Sequence, residues 1–420
     1  MDFLGNLFII NKMTIKLRYS EDIEKENRRG KVMKKGTGQN LITSKQYNRG
    51  LILQLIATNE ATSRIELATT TGLTKMTITN IISEYIENGI VEQCEEKITE
   101  GCGRNPIRLK ISEKAPNVIG LYITRDKIEA VLCTLSLEIL NRKVIPFESL
   151  KKEEVRQYSY RVLDAILEET DSKVIGIGVA VMGPVDINHG IILNPPHFWG
   201  IENVNITQFL EERYGLPVVV DHDQNSAAQA EVLFGAGKNV QDFIFLGITK
   251  GIGSGLVSDG KVFHNKMGMA SELGHISIDR NGKRCACGNR GCLEVYASVN
   301  VVEEKLQKVT GEKYTFQEFC KMRRRRDVDK IMREMVDNVA VAIVSGINIL
   351  HPQLVILGNE CMEWDDRYVY LLEDKVNEEK FTQNYGRVPI RKAYFGKDSQ
   401  LLGAAANVLF QIFQGKLLLF

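Results

Sequence analysis

Gly274–Glu294 reads GHISIDRNGKRCACGNRGCLE. His275, Cys285, Cys287 and Cys292 fall within it as H-x9-C-x-C-x4-C, with Gly282, Gly288 and Gly291 between them. Zinc takes four soft-to-borderline ligands in a tetrahedron, and a structural site leaves no position open to water. Glycines beside the ligands let the backbone turn around so small an ion. The alternative reading is disulfides or free buried thiols. Cys285 and Cys287 are too close in sequence to pair comfortably with each other. Cys/His clusters in intracellular chains are more often metal sites than disulfide frameworks. The expectation is a structural zinc held by these four residues.

The stretch matches GHxxxxxxGxxCxCGxxGCxE at every fixed position. It thereby resembles the zinc signature of the ROK family (repressors, open reading frames and sugar kinases). The resemblance implies an α/β, actin-like (ribonuclease-H-like) fold of two lobes with a cleft between them. It leaves two functions in contention: a kinase of sugars, or a repressor that senses them.

The 420 residues suffice for several domains and a substantial core. Hydrophobic residues at 44% and charged at 25% are ordinary for a globular protein. The formal net charge of +1 is unevenly spread: residues 1–50 carry a net +6, and residues 51–110 a net −2. A basic front end suits an anionic partner. No apolar run reaches the ~18 residues of a membrane span, and MDFLGNLFII makes a poor signal peptide. Five further cysteines, Cys94, Cys102, Cys133, Cys320 and Cys361, are scattered and suit a reducing cytoplasm.

Residues 1–40 lack sustained periodicity and read as a flexible basic tail. Ser44 can cap a helix carrying Leu51, Ile52, Leu55 and Ile56 on one face. Ser63 can cap a short helix burying Ile65, Leu67 and Ala68. Gly72 then supplies a tight turn, with Leu73 behind it. Thr74 caps a second helix whose Ile78, Ile81, Ile82 and Tyr85 face inward and which Asn88-Gly89 stops. Helix, short turn with Gly, helix is the helix-turn-helix unit. The outward face offers Thr74, Lys75, Met76, Thr77, Thr79, Asn80 and Ser83, groups that reach phosphates and base edges; an ordinary solvated helix would look similar. Ile90–Gln93 and Arg104–Leu109 read as two strands of a wing, with Arg104 placed to enter a minor groove. Ser44–Leu109 is similar to the winged-helix domain of ROK repressors, a domain the family's kinases lack. The expected DNA-contacting residues are Thr74, Lys75, Thr77, Thr79, Asn80 and Arg104, in a domain over 41–112.

From 116 to 420 strands and helices alternate, as the resemblance requires of a sugar-binding domain whose last helix, from Gly403, returns to the first lobe. Where ATP-using relatives carry IGxDxGGTxI, this chain has IGLYITRDKI. Tyr122 stands at the Asp position, Thr124 and Arg125 at the glycines, and Asp126 at the Thr, so the phosphate turn is degenerate. Thr249–Gly255 remains glycine-rich, while Val355–Asn359 keeps a strand-then-glycine shape without the run that lies under adenosine. The sugar side is better kept. The resemblance implies sugar contacts from Asn194, His222, Asp223, Glu272, His275 and Glu294. Asp223 matches the kinase base, and His222 replaces an Asn. Taken alone, Asp223 reads equally as a helix cap, and Glu272 and Glu294 as props of the zinc loop. The run Arg323–Arg326 reads as a solvated helix face, and Ile331–Ile349 as core.

The combined expectation is a repressor of carbohydrate-utilisation genes, dimeric or a dimer of dimers, with operator DNA and a sugar or sugar-phosphate effector as partners. An active sugar kinase fused to a DNA-binding domain is the alternative. A regulator answering a phosphorelay protein is a third reading.

Overall fold

A computed structural model describes residues 41–94, 107–196, 198–265, 269–322 and 325–419. The tail 1–40, most of the expected wing loop, Arg104, Cys102 and Arg323–324 lie outside these residues. The chain separates into two compact units, Met1–Gln46 and Tyr47–Phe420, and the functional geometry lies in the second.

Helix α1 spans Leu41–Ala57, so Ser44 sits inside it and not at its cap. Helix α2 (Arg64–Thr71) has a full capping box: Ser63 accepts from the Glu66 amide and Glu66 reaches back to the Ser63 amide. Only Leu67 of α2 is buried, with Ala68 partly so, whereas Ile65 is 67% exposed. An eight-residue helix shows one narrow stripe to the core, and Ile65 falls off it. Gly72, at φ +69°, ends α2 and leads to Thr74, which caps α3 (Lys75–Glu87) through the Thr77 amide. Ile78, Ile81, Ile82 and Tyr85 are buried, as their spacing predicts. An antiparallel hairpin of β1 (Val91–Cys94) and β2 (Arg108–Ile111) follows, the second strand later than Arg104–Leu109. The Leu109 amide donates to the Thr62 carbonyl and ties the hairpin to the start of α2.

The first large sheet runs in the order β10-β6-β3-β4-β5. Its members are β3 (Asn117–Ile123), β4 (Lys127–Cys133), β5 (Ile139–Pro146), β6 (Val174–Val181) and β10 (Val218–His222). Strands β3, β6 and β10 are parallel, and β3 and β6 are buried as near-continuous apolar runs. Helix α4 (Lys152–Leu167) lies against β4 and β5. A small sheet, β7 (Val185–Asp186), β8 (Ile191–Ile192) and β9 (Val204–Asn205), leads into α5 (Ile206–Tyr214). Helix α6 runs from Asp223 to Phe234, so Asp223 is its first residue and not its cap; His222 is the cap, accepting from the Gln224 amide.

The second sheet runs β13-β12-β11-β14-β15, built from β11 (Phe243–Ile248), β12 (Ile252–Ser258), β13 (Lys261–Val262), β14 (Leu354–Asn359) and β15 (Ile390–Lys392). Helices α7 (Glu294–Ala297), α8 (Val299–Thr310), α9 (Phe316–Lys321), α10 (Arg326–Leu350) and α11 (Asp366–Glu379) accompany it. Most of the apolar stripe of α10 is core, but Ile349, at its last turn, is 74% exposed.

Helix α12 (Ser399–Phe413) begins four residues before Gly403 and packs on both lobes. Its Gly-Ala-Ala-Ala run permits close backbone approach. A Cβ on Gly403 would stand 2.1 Å from the Ser226 carbonyl oxygen of α6, and one on Gly178 of β6 would stand 1.7 Å from that of Ala404. A single buried apolar cluster continues from Ile52, Ile82 and Tyr85 through Val118 of β3 to Leu409 and Phe413 of α12.

Candidate functional site

A cavity of about 840 Å³ is lined by the ends of β3, β6 and β10, the β11–β12 turn and the loop around Gly274–Glu294. All six residues to which the resemblance assigns sugar contacts line it: Asn194, His222, Asp223, Glu272, His275 and Glu294. They arrive from four separate stretches of chain, which only the fold brings together.

His222 and Asp223 sit at the junction of β10 and α6, both buried. His222 Nδ1 accepts the Gln224 amide at 3.2 Å. Its equally close approach to Asp223 Oδ1, 3.2 Å, is therefore not a charged pair, because that nitrogen has no proton to give. The Asp223 carboxylate accepts a hydrogen bond from the Tyr122 hydroxyl, Oη to Oδ2 at 3.3 Å. Burial, and then the Asp223 charge, push the Tyr122 phenol well above its ordinary pKa, so it stays a donor. At the position where kinases of the family place an Asp, this chain thus sets a phenol against the base position.

Glu294 opens α7, and its Oε2 accepts the Ile252 amide at 3.0 Å, which steadies the β11–β12 turn. Glu272 faces the cavity. Desolvation raises its carboxyl above the usual range.

His275, Cys285, Cys287 and Cys292 converge so that their ligand atoms all lie within 4.8 Å of one another. Cys285 Sγ is 3.6 Å from His275 Nδ1, and Cys287 Sγ is 3.7 Å from Cys292 Sγ. Tetrahedral zinc, with bonds of about 2.3 Å to sulfur and 2.0 Å to nitrogen, requires edges of roughly 3.8 and 3.6 Å. The donor set and its spacing fit that ion. Gly291, at φ +70°, passes so near Asp279 that a Cβ would stand 1.8 Å from its carbonyl oxygen. With Nδ1 turned to the sulfurs, the ring's Nε2 is on the opposite side, and His275 also lines the cavity. The cluster can therefore orient an imidazole at the cavity wall.

The degenerate turn is well ordered. Thr124 Oγ1 donates to Asp126 Oδ1 at 2.7 Å, and Arg125 Nη2 donates to the Pro196 carbonyl at 3.2 Å. The Trp199 indole donates back to the Arg125 carbonyl at 3.3 Å. Sequence reasoning treated Tyr122 and Arg125 as losses and missed that both side chains enter the cavity. It also missed His264, whose Nε2 is 2.8 Å from Asp221 Oδ2 beside the site. A lone histidine after a short strand gives no sequence signal of that pairing.

Of the residues expected to meet DNA, Thr74, Lys75, Thr77, Thr79 and Asn80 gather at the start of α3; all but the half-buried Thr77 are exposed. Thr79 Oγ1 donates to the Lys75 carbonyl at 2.8 Å, which turns its methyl and a lone pair outward. Arg104 lies outside the described residues. No described helix is long and apolar enough to cross a membrane.

Comparison with known proteins follows the same lines. The chain is 27% identical over 370 residues to the xylose repressor of Bacillus spizizenii, covering 87% of this chain and 95% of that protein. It is 28% identical over 395 residues to the DNA-binding transcriptional dual regulator NagC of Escherichia coli K12, covering 89% and 95%. Among solved structures, a ROK family transcriptional regulator, a homolog of the E. coli MLC protein, superposes with a TM-score of 0.77 at 24% identity over 89% of this chain and 98% of that one. A ROK hexokinase from Thermus thermophilus is matched over 97% of its length but accounts for only 69% of this chain, with a TM-score of 0.60 and 26% identity. The ROK family profile matches residues 118–410, well over half the sequence. This chain belongs to the ROK family.

Proposed function

We propose that this protein is a transcriptional repressor of carbohydrate-utilisation genes. In this reading residues 41–112 bind operator DNA, zinc fills the Cys/His cluster, and a sugar or sugar phosphate binds between the lobes. The carrying observation is a complete hydroxyl-recognition cluster beside a phosphate turn that no longer suits ATP. Asp223 remains, but Tyr122 occupies it from the strand where a kinase needs a carboxylate. The names and lengths of the regulator relatives support the same reading, since they share the part of the chain that the hexokinase lacks. A dimer would place two α3 helices on a palindrome. A change in lobe closure would alter their spacing, which has to match half-sites about one helical turn, or a multiple of it, apart.

The test is a gel shift on DNA from upstream of the gene, at one fixed salt concentration because phosphate contacts make affinity steeply salt-dependent. It is run with and without monosaccharides and their phosphates. A specific shift relieved by one of them is the expected result. Asn80→Ala should weaken the shift by about 10- to 100-fold, the worth of one good base contact of 1–3 kcal/mol. Asp223→Ala should blunt the sugar response. Sugar-dependent ATP turnover that disappears in Asp223→Ala would replace this reading with the kinase.

A further inference from the structure

Helix α3 carries two faces, two residues out of step. Ile78, Ile81, Ile82 and Tyr85 are buried, and Met76, Thr79, Asn80 and Ser83 repeat the same i, i+3, i+4, i+7 spacing on the opposite side. Met76 is 71% exposed, Thr79 and Asn80 are exposed, and Ser83 is half-buried. The start of this helix is more apolar than its composition suggests, because its hydroxyls are already engaged. Thr79 Oγ1 donates to the Lys75 carbonyl at 2.8 Å. The Thr74 and Thr77 hydroxyls share a hydrogen bond at 2.9 Å, and Thr74 Oγ1 also accepts the Thr77 amide at 3.2 Å. A threonine whose proton is held by its own helix has none to give a base, and its methyl is what it presents. Met76 has no donor at all, and its thioether is only a weak acceptor. One exposed methionine is ordinary on a protein surface. Here, though, it shares a stripe with an outward methyl and the Asn80 amide, beside the Lys75 ammonium, and the first turn holds no carboxylate.

We infer that Met76 and Thr79 read thymine C5-methyl groups in the major groove, so that the operator carries thymines under the first two turns of α3. This rests on the reading above that residues 41–112 bind operator DNA, and adds which base group two of these side chains recognise. In the major groove the four base pairs differ in their donors and acceptors and in one apolar mark, the thymine methyl. Side chains without a free donor gain nothing from guanine O6 or N7, but they can bury carbon against that methyl. The unbranched, polarizable Met76 side chain can follow its position closely.

The experiment starts from a duplex that the full-length protein enriches from a random library at one fixed salt concentration. Each thymine of that duplex is replaced singly by deoxyuridine, which lacks only the C5-methyl, and binding is followed by fluorescence anisotropy. The expected result is a loss of about three- to fivefold at one or two thymines of each half-site, the worth of one methyl group withdrawn from water. Met76→Ala and Thr79→Ser should each weaken binding to the parent duplex and remove the loss at one thymine, because no methyl is left to meet it. Thr79→Val keeps the methyl and drops the hydroxyl, and should preserve that loss. Deoxyuridine that costs nothing at any position overturns the inference and leaves DNA binding standing. So do losses that survive unchanged in both Met76→Ala and Thr79→Ser, or a Thr79→Val that behaves like Thr79→Ser. A library from which no duplex is enriched removes both readings.

Discussion

At the scale of single residues, Cys292 is fully buried, with its Sγ 3.7 Å from that of Cys287. Structural zinc supplies folding energy directly, because its site does not exist in the unfolded chain. The native protein should therefore carry about one zinc per chain, and Cys292→Ser should carry none and melt at lower temperature. Metal analysis alongside a thermal melt checks this; an unchanged melt in a metal-free variant would sink the structural role. A metal in the cluster would bear on the cavity through His275, so the same variant should lose effector affinity. The four ligands were legible in sequence because their spacing is compact and their chemistry narrow. Tyr122 and Arg125 were legible only as departures from a pattern. What they do in place of that pattern depends on rotamers and on Asp223 lying 101 residues away.

Elements show the same division. The caps at Ser63 and Thr74, the stop after α3 and the inward spacing of Ile78, Ile81, Ile82 and Tyr85 are local, and local rules found them. The exposure of Ile65 and the start of α6 at Asp223 are not local: each is set by what packs opposite. The tie between β10 and the segment after β13 is a further case. Burial alone would lower the His264 pKa, but the hydrogen bond and charge of Asp221 outweigh it and raise the value. A histidine raised on folding contributes stability that is fully present below its unfolded pKa of about 6.5 and is lost as pH rises through the folded value. The melting temperature of the wild type should thus exceed that of His264→Ala most near pH 6, and the gap should narrow towards pH 8.5. Melts across that range test it; a gap that widens with pH would mean the pair has been misassigned.

For the whole molecule, the decisive packing lies where α1 meets α12. A Cβ on Gly50 would stand 2.2 Å from the Phe413 carbonyl oxygen, a contact with backbone that no rotamer change can relieve. Gly50→Ala should destabilise the protein by roughly 1–3 kcal/mol, as overpacking does. The buried cluster passes from Ile52 and Tyr85 to Phe413 without interruption. Urea unfolding should therefore show one transition in which the N-terminal helices and the first lobe are lost together, in the mutant as in the wild type. Two separated transitions would contradict the continuity of that core. Sequence patterns read residues 41–112 as one domain. They could not show that residues at opposite ends of the chain complete one another.

That closure limits how such a protein can be recombined. The N-terminal helices and hairpin are not a detachable cassette, because part of their interior is supplied by the last helix. Grafted without Ser399–Phe413 onto another sensor, they would lose the close approach of Gly50 to Phe413 and the last helix's share of the buried cluster. Chimeras should behave only when both ends of the chain are exchanged as a pair.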